Sequence, residues 1–508
     1  MDIEGAFNMN RYIEKIKKEY PFFAALSLLY GIIFTVSLYE NISGITFPIC
    51  IGITIIFIKI FLKKLGLKLK KDSWIYITGM LLLGISTACT TSYFFIFFNW
   101  VGTALLLTVF MLHQFYDDTS WNFGGYLKRI ILLGIGIIES TPALYVGGVR
   151  YLTRDHTGED KAKKKNMLIA VLVGIVIAAL LLLIIFPVLL SSDAIFAGIF
   201  GNVLKHIKIG MVPGYIVLFI AGVHLCYTFF YTASKKNFAE TDKEKKKNGN
   251  AVIAITFTGI ISAIYVLYCI IQIFYLFIGV KKGLLPANTT YAEYARGGFW
   301  QLLFVSALNF IIVILCLYIF KENKILNIIL TIVCSCTFIM LISAAYRMLL
   351  YIGVYHLTFL RILVLWSLLV LGLVMCGVVI SIYKRNFPMF RYTMVIAFGL
   401  YIFLSFSQPD WMISKYNIAH IQAENKKLKF NDIAELTDMW SEDAAPVLAD
   451  LKSEDLDSED RDNVKDVLAE YFRGVKKDQS DLNLRNWNLG RYKAKKAVEN
   501  FQKGTGIF

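Results

Sequence analysis

The chain has 508 residues, 57% hydrophobic and only 18% charged, with a mean hydropathy of +0.60 and a formal charge of +15. A soluble domain carries nearer a quarter charged residues, so apolar surface at this density needs lipid as its solvent. The basic balance does not point to nucleic acid: no recognition motif accompanies it, and the lysine runs are short and lie between apolar segments.

Residues 1–21 form a charged arm that reads as cytoplasmic, and residues 22–407 read as a polytopic transmembrane bundle. A span needs about twenty apolar residues. Eleven segments qualify in chain order: Phe22–Leu38, Ile45–Leu62, Ser73–Thr90, Phe94–Leu112, Met167–Leu190, Met211–Thr232, Ala251–Val280, Phe299–Phe320, Ile325–Ala345, Phe359–Tyr383 and Met389–Phe406. The first run follows a charged stretch and has no small-residue exit, so it reads as a retained span and not as a cleaved signal. A further apolar run, Leu127–Val149, holds Glu139, Pro142 and four glycines, and is flanked by basic residues on both sides. Basic flanks at both ends place both ends in the cytoplasm, so it reads as interfacial or re-entrant.

Charge fixes the expected threading. With eleven crossings and the N-terminus inside, the inner loops collect 28 Lys/Arg and the outer loops seven. A twelfth crossing would move the two richest downstream loops outside, against the positive-inside rule. Residues 408–508, with 16 basic and 19 acidic residues, then emerge on the outer side as a small soluble helical domain. Val464, Val467, Leu468, Tyr471 and Phe472 follow helical spacing, as do Ala444, Val447, Leu448 and Leu451, with Pro446 in a first turn. Trp487, Arg491, Ala494, Val498 and Phe501 line one face of a last helix. The fold class is therefore all-α integral membrane: a bundle of about eleven transmembrane helices plus this C-terminal domain.

The eight cysteines all fall in apolar segments, with no CxxC, and read as small buried residues and not as zinc ligands or disulfides. No Walker loop, GxSxG or HExxH is present, so no catalytic residue, metal or cofactor is assigned. Asp117, Asp118, Glu139 and Asp193 are the only acids that a lipid-linked transferase would draw on, and most face different sides.

Charges at membrane depth cost roughly 2.5–3.5 kcal/mol each and need a purpose. Glu293 and Arg296 enter one span from the outer side; Tyr346 and Arg347 close another; Arg361 opens the next. Together they form a candidate polar site for a carboxylate or phosphate, or else pair and fix helix packing. Glu139, in its glycine-rich element, is a candidate ion or proton group or the cap of a broken helix. His224 reads as a hydrogen-bonded packing residue.

The run from Tyr291 to Phe299, YAEYARGGF, resembles the Y-A-x-x-x-R-x-G-F element of a bacterial polytopic family, the domain of unknown function of the four-one-five-three and four-one-seven-three types. Ser343 to Arg347, Leu357-Thr358 to Arg361, Gln408-Pro409-Asp410, Tyr416-Asn417, Asp443 to Pro446 and Arg485 to Arg491 are similar to further elements of it; the family usually has Asn at the place of Gln408. The resemblance runs from Met167 to Val498 and implies a bacterial plasma-membrane protein and no particular reaction. The residues themselves point first to a carrier or permease for a small solute or lipid, with the bilayer and an anionic lipid or solute as partners. The alternative is an envelope scaffold or sensor partner that binds protein through residues 408–508.

Overall fold

The computed structural model describes residues 12–118, 121, 123–152, 212–235, 249–274, 298–384, 387–439, 441–479 and 482–505, with single helical positions between 167 and 198. These residues are helical with two isolated bridges, Gly249 with Phe320 and Leu428 with Leu456. In the apolar region the helices are α1 Tyr20–Leu38, α2 Thr46–Leu65, α3 Ser73–Thr87, α4 Tyr93–Phe115, α5 Phe123–Glu139, α6 Thr141–Leu152 and α7 Val212–Lys235. They continue as α8 Ala251–Gln272, α9 Phe299–Ile319, α10 Lys324–Tyr355, α11 Phe359–Tyr383 and α12 Met389–Phe406. Among the described residues nine are long and apolar enough to cross a membrane: α1, α2, α4 and α7 to α12.

These nine stand where nine of the eleven expected spans lie. Helix α3 stands at a tenth but has 15 residues and stops at Thr87, short of the expected Thr90. Of the expected span Met167–Leu190 only single helical positions are described, and the candidate Asp193 lies outside the described residues. Helix α10 is longer than the sequence suggested: it runs 32 residues, past Ala345 to Tyr355. Nothing between Tyr346 and Tyr355 breaks a helix except Gly353, so Tyr346 and Arg347 sit inside α10 and not at its end.

The chain divides into two compact units. The first holds residues 1–88, 98–241 and 483–486. Its helix α1 carries small residues at four-residue spacing, Ser27, Gly31 and Thr35, all buried. They allow α1 to press against α7: a Cβ at Gly31 would lie 2.5 Å from Val223, and one at Gly222 3.0 Å from Phe34. Close backbone approach of this kind is what holds helices together where lipid removes the hydrophobic drive. The pair is antiparallel, with Tyr39 stacked on Tyr215 at 3.8 Å and Tyr20 against Tyr227 at 6.0 Å.

The basic end of this unit is joined by polar contacts. Lys64 pairs with Glu19, Lys70 Nζ donates to Tyr116 O at 2.6 Å, and the Tyr116 hydroxyl donates to Ala233 O at 3.1 Å. Helices α5 and α6 meet at 45°, with Pro142 just past the break, where it removes a backbone donor. Tyr126, early in α5, donates to Asp118 Oδ2 at 2.5 Å. At the break, Gly136 O and Ser140 Oγ lie 2.9 Å from Thr232 Oγ1. Along α6, Leu144 O accepts from Tyr20 at 2.9 Å, and Gly147 and Gly148 abut the Tyr20 ring. The deepest of these contacts is Tyr145 with His224, midway along α7.

The second unit holds residues 89–97, 242–482 and 487–508. Helices α8, α9 and α11 pack on α10 around Leu330, Val333, Cys334 and Met375. A buried polar relay crosses three helices: Tyr265 donates to Asn309 Oδ1 at 2.8 Å, and Asn309 Nδ2 donates to Thr337 Oγ1 at 3.0 Å. After α12 come α13 Pro409–Ala423, α14 Phe430–Thr437, α15 Ala445–Ala449, α16 Arg461–Asp478 and α17 Leu489–Thr505. Their apolar faces build one core containing Ile413, Ile433, Leu448, Val464, Phe472, Val498 and Phe501, with Leu357 and Phe359 packed on it. The expected periodicity holds: Val464, Leu468 and Phe472 are buried, and so are Ala494, Val498 and Phe501.

A carboxylate knot fastens this tail within the unit. Asp443 Oδ2 accepts from Thr90 Oγ1 at 2.5 Å, and its Oδ1 accepts from Thr91 N at 3.1 Å and Thr91 Oγ1 at 2.9 Å. Asn488 donates to Thr90 O at 3.0 Å, and Gln408 donates to Cys89 O at 2.8 Å. The turn before α4 thus has its backbone satisfied by the tail. Nearby, Ser441 donates to Asp410, and Gln479 donates to Glu442. Burial pushes the Asp410 carboxyl up to about 6 and Glu442 up to about 7, and raises Asp443 despite its threonine donors. The folded state holds these protons more tightly than the unfolded chain. Their contribution is therefore full below the ordinary carboxylate range and is lost as pH rises through about 6 and about 7. The thermal midpoint of the detergent-solubilised protein should fall between about pH 5 and pH 8, and Asp410→Asn should flatten part of that fall. An unchanged slope in the variant would remove Asp410 from the account.

Candidate functional site

The first unit holds a half-open apolar cavity of about 330 Å³ between α1, α2, α4 and α7. Helix α4 lacks the close backbone approach that α1 makes with α7, and bulky side chains hold the gap open. Phe47 stacks on Trp100 at 4.4 Å at one end, and the Trp100 indole donates to Ile42 O at 2.9 Å. Towards the other end, Phe61 stacks on Phe230 at 4.0 Å, beside the lining residue Phe230. Lining positions run from Phe47 to Ile58 on α2, which at about 1.5 Å per residue makes a slot roughly 16 Å long.

The walls are almost wholly hydrocarbon, and their few polar groups are hydroxyls. Thr54 donates to Cys50 O at 2.7 Å and so accepts from the Tyr30 phenol at 2.9 Å. Thr108 donates to Ala104 O at 2.8 Å. The Thr103 hydroxyl is buried on the cavity wall with no hydrogen-bond partner. A hydroxyl left in this state loses about 1–3 kcal/mol of solvation, which an acceptor on a guest molecule would restore. Such a slot suits a long apolar chain with one polar atom, and no group on it activates a nucleophile.

The sequence-derived polar residues lie elsewhere. In the second unit Gln272 Oε1 accepts from Ser343 Oγ at 2.8 Å and from Arg347 Nη2 at 3.1 Å. Gly298, at φ +94°, lies against the Arg347 guanidinium, so a side chain there would meet both strain and a clash. Arg361 donates to the carbonyls of Tyr355, at 2.5 Å, and of His356, and covers the Tyr351 ring at 4.4 Å. It thereby closes the carbonyl end of α10. Tyr346 is half-buried on α10. The structure thus brings Arg347 to Gln272 and Ser343, and gives Arg361 different partners. Glu293 and Arg296 lie outside the described residues. Glu139 is exposed at the end of α5. His224 Nδ1 donates within α7 to Ile220 O at 3.0 Å, and its Nε2 meets the Tyr145 hydroxyl, a packing arrangement. Asp118 is buried with His113 Nδ1 at 2.9 Å, while Asp117 is exposed. Among the described residues no group of three His, Cys, Asp or Glu side chains is placed to hold a metal.

Sequence reading missed Gln272, a neutral polar residue in an apolar run, and it missed the cavity. The Ser27, Gly31, Thr35 stripe and the in-span threonines 54, 103 and 108 were the available signals. Arg361→Ala should lower the thermal midpoint by an amount equivalent to about 1 kcal/mol, and Arg361→Lys should recover only part because it cannot fork across two carbonyls. No change in midpoint for the alanine variant would refute the capping role.

No curated protein and no solved structure matches the chain. The model of one family matches residues 77–451, about three quarters of the length. The match begins within α3, well before Met167, and ends before the Arg485 to Arg491 motif. With this extent of match, the chain belongs to the family of the domain of unknown function DUF4153, as the motifs around Arg296, Arg347 and Arg361 led one to expect.

Proposed function

We propose that this is a multi-pass protein of a bacterial plasma membrane that takes a lipid-like amphiphile into the cavity of its first unit, acting as a carrier and not as an enzyme. The cavity carries the reading: a half-open apolar slot with one unsatisfied hydroxyl on its wall suits an acyl or prenyl chain better than a hydrated solute. Arg347 and Arg361 are held by protein groups, which favours a packing role for the polar boundary residues over a solute site. Protein purified in mild detergent should release a co-purified lipid-like molecule in native mass spectrometry, and Ala104→Trp, which fills the slot, should abolish it. Equal lipid content in the filled variant would end this reading.

The proposed threading has eleven crossings, the N-terminus inside and residues 408–508 outside as a soluble helical domain. Within the first unit, α4 ends at the basic end and α7 begins at the opposite one, as the Tyr116–Ala233 and Tyr39–Tyr215 contacts require. An odd number of crossings must lie between them. The bent α5–α6 pair makes its contacts from the basic end to mid-depth, which favours a re-entrant element. Charge asymmetry sets the orientation. In intact cells a membrane-impermeant maleimide should label Leu484→Cys, at a position 91% exposed, and should reach Lys128→Cys only after permeabilisation. The reverse pattern would invert the topology.

A further inference from the structure

The second unit contains a cleft of about 540 Å³ where α12 ends and the tail begins. Helix α17 contributes Lys493, Lys496 and Asn500, which at i, i+3 and i+7 share one face. Phe406, the last residue of the membrane-length helix α12, forms the opposite wall with Trp411. A cleft bounded by the last turn of a span lies at the depth of lipid headgroups, where Trp and Lys side chains are at home.

The lysines make few close contacts within the protein, although the Lys493 charge acts on the nearby Asp443 carboxyl. Lys493 Nζ lies 3.4 Å from Gln408 Oε1, and Lys496 Nζ sits 5.7 Å from the Tyr492 ring. Neither forms an ion pair with a described carboxylate, and both are exposed. Asp443 also lines the cleft, but its oxygens are already taken by Thr90 and Thr91; Asp450, on the rim, is exposed. Just below the cleft, Phe403 lies three residues before Phe406 on the same face of α12 and is 75% exposed, an open apolar track leading away from the lysines.

We infer that this cleft is a phospholipid site: the headgroup phosphate lies between Lys493 and Lys496 with Asn500 as a further donor, and an acyl chain follows Phe406 and Phe403 along α12. The inference needs only that α12 crosses the membrane, and it stands apart from the cavity of the first unit.

The test uses the full chain in detergent, titrated with phosphatidylglycerol or phosphatidylethanolamine and followed by native mass spectrometry. Lys493→Ala with Lys496→Ala should weaken phospholipid binding about tenfold or more, given roughly 1 kcal/mol per surface cation. The double arginine variant should restore it, and Ala104→Trp should leave it unchanged. Both substituted lysines are exposed, so the fold should persist; an unaltered thermal midpoint checks this. Equal affinity in wild type and the double alanine variant would overturn the assignment. So would loss of the bound phospholipid in Ala104→Trp alone, since that would move the lipid to the other cavity.

Discussion

The absence of water from hydrocarbon governs this structure. A polar side chain at that depth must find its partner within the protein, on its own helix or a neighbouring one, because no solvent will supply one. The first unit obeys this with Tyr30 on Thr54, Tyr145 on His224 and Thr232 at the α5–α6 break. The second obeys it with Tyr265, Asn309 and Thr337, and with Ser343 and Arg347 converging on Gln272. Each pairing fixes the rotation of a helix whose greasy surface alone would leave it free to turn. The Thr103 hydroxyl is the departure from this pattern on the cavity wall, and it gives that cavity its chemical meaning.

The carboxylate knot of the second unit solves a related problem at the polar edge. Threonine and backbone donors from residues 90 and 91 need acceptors, and Asp443 supplies them from more than three hundred residues away. Grouping Asp410, Glu442 and Asp443 in one buried place leaves each reluctant to ionise, so tail packing becomes sensitive to proton concentration near neutrality. Hydroxyl donors offset part of this at Asp410 and Asp443, and the Arg491 charge and the Gln479 amide do so at Glu442.

Apolar runs of about twenty residues announce their helices without help from partners, which is why nine of the expected spans could be read directly. The tail was legible for the same kind of reason: the spacing of Val464, Leu468 and Phe472 encodes a buried face locally. Sequence failed where the answer lies in a distant partner. The turn at Thr90 and Thr91 is held by Asp443 and Asn488, and the buried Arg347 is held by Gln272. The extent of α10 was missed for a different reason, since falling hydropathy after Ala345 marks the end of the apolar stretch and not the end of the helix. The cavity belongs to no single segment; it follows from how far α4 stands from its neighbours.

At 32 residues, α10 measures about 48 Å, against roughly 30 Å of hydrocarbon. It must therefore lean or protrude, and the turn that follows it is gripped by Asn417, whose side chain both accepts from Leu357 N and donates to Leu357 O. A rigid rod held at its tip converts any thinning or thickening of the surrounding leaflets into a change of angle. The last turns of α10 carry Tyr351 and Tyr355, side chains suited to the interface into which so long a helix reaches.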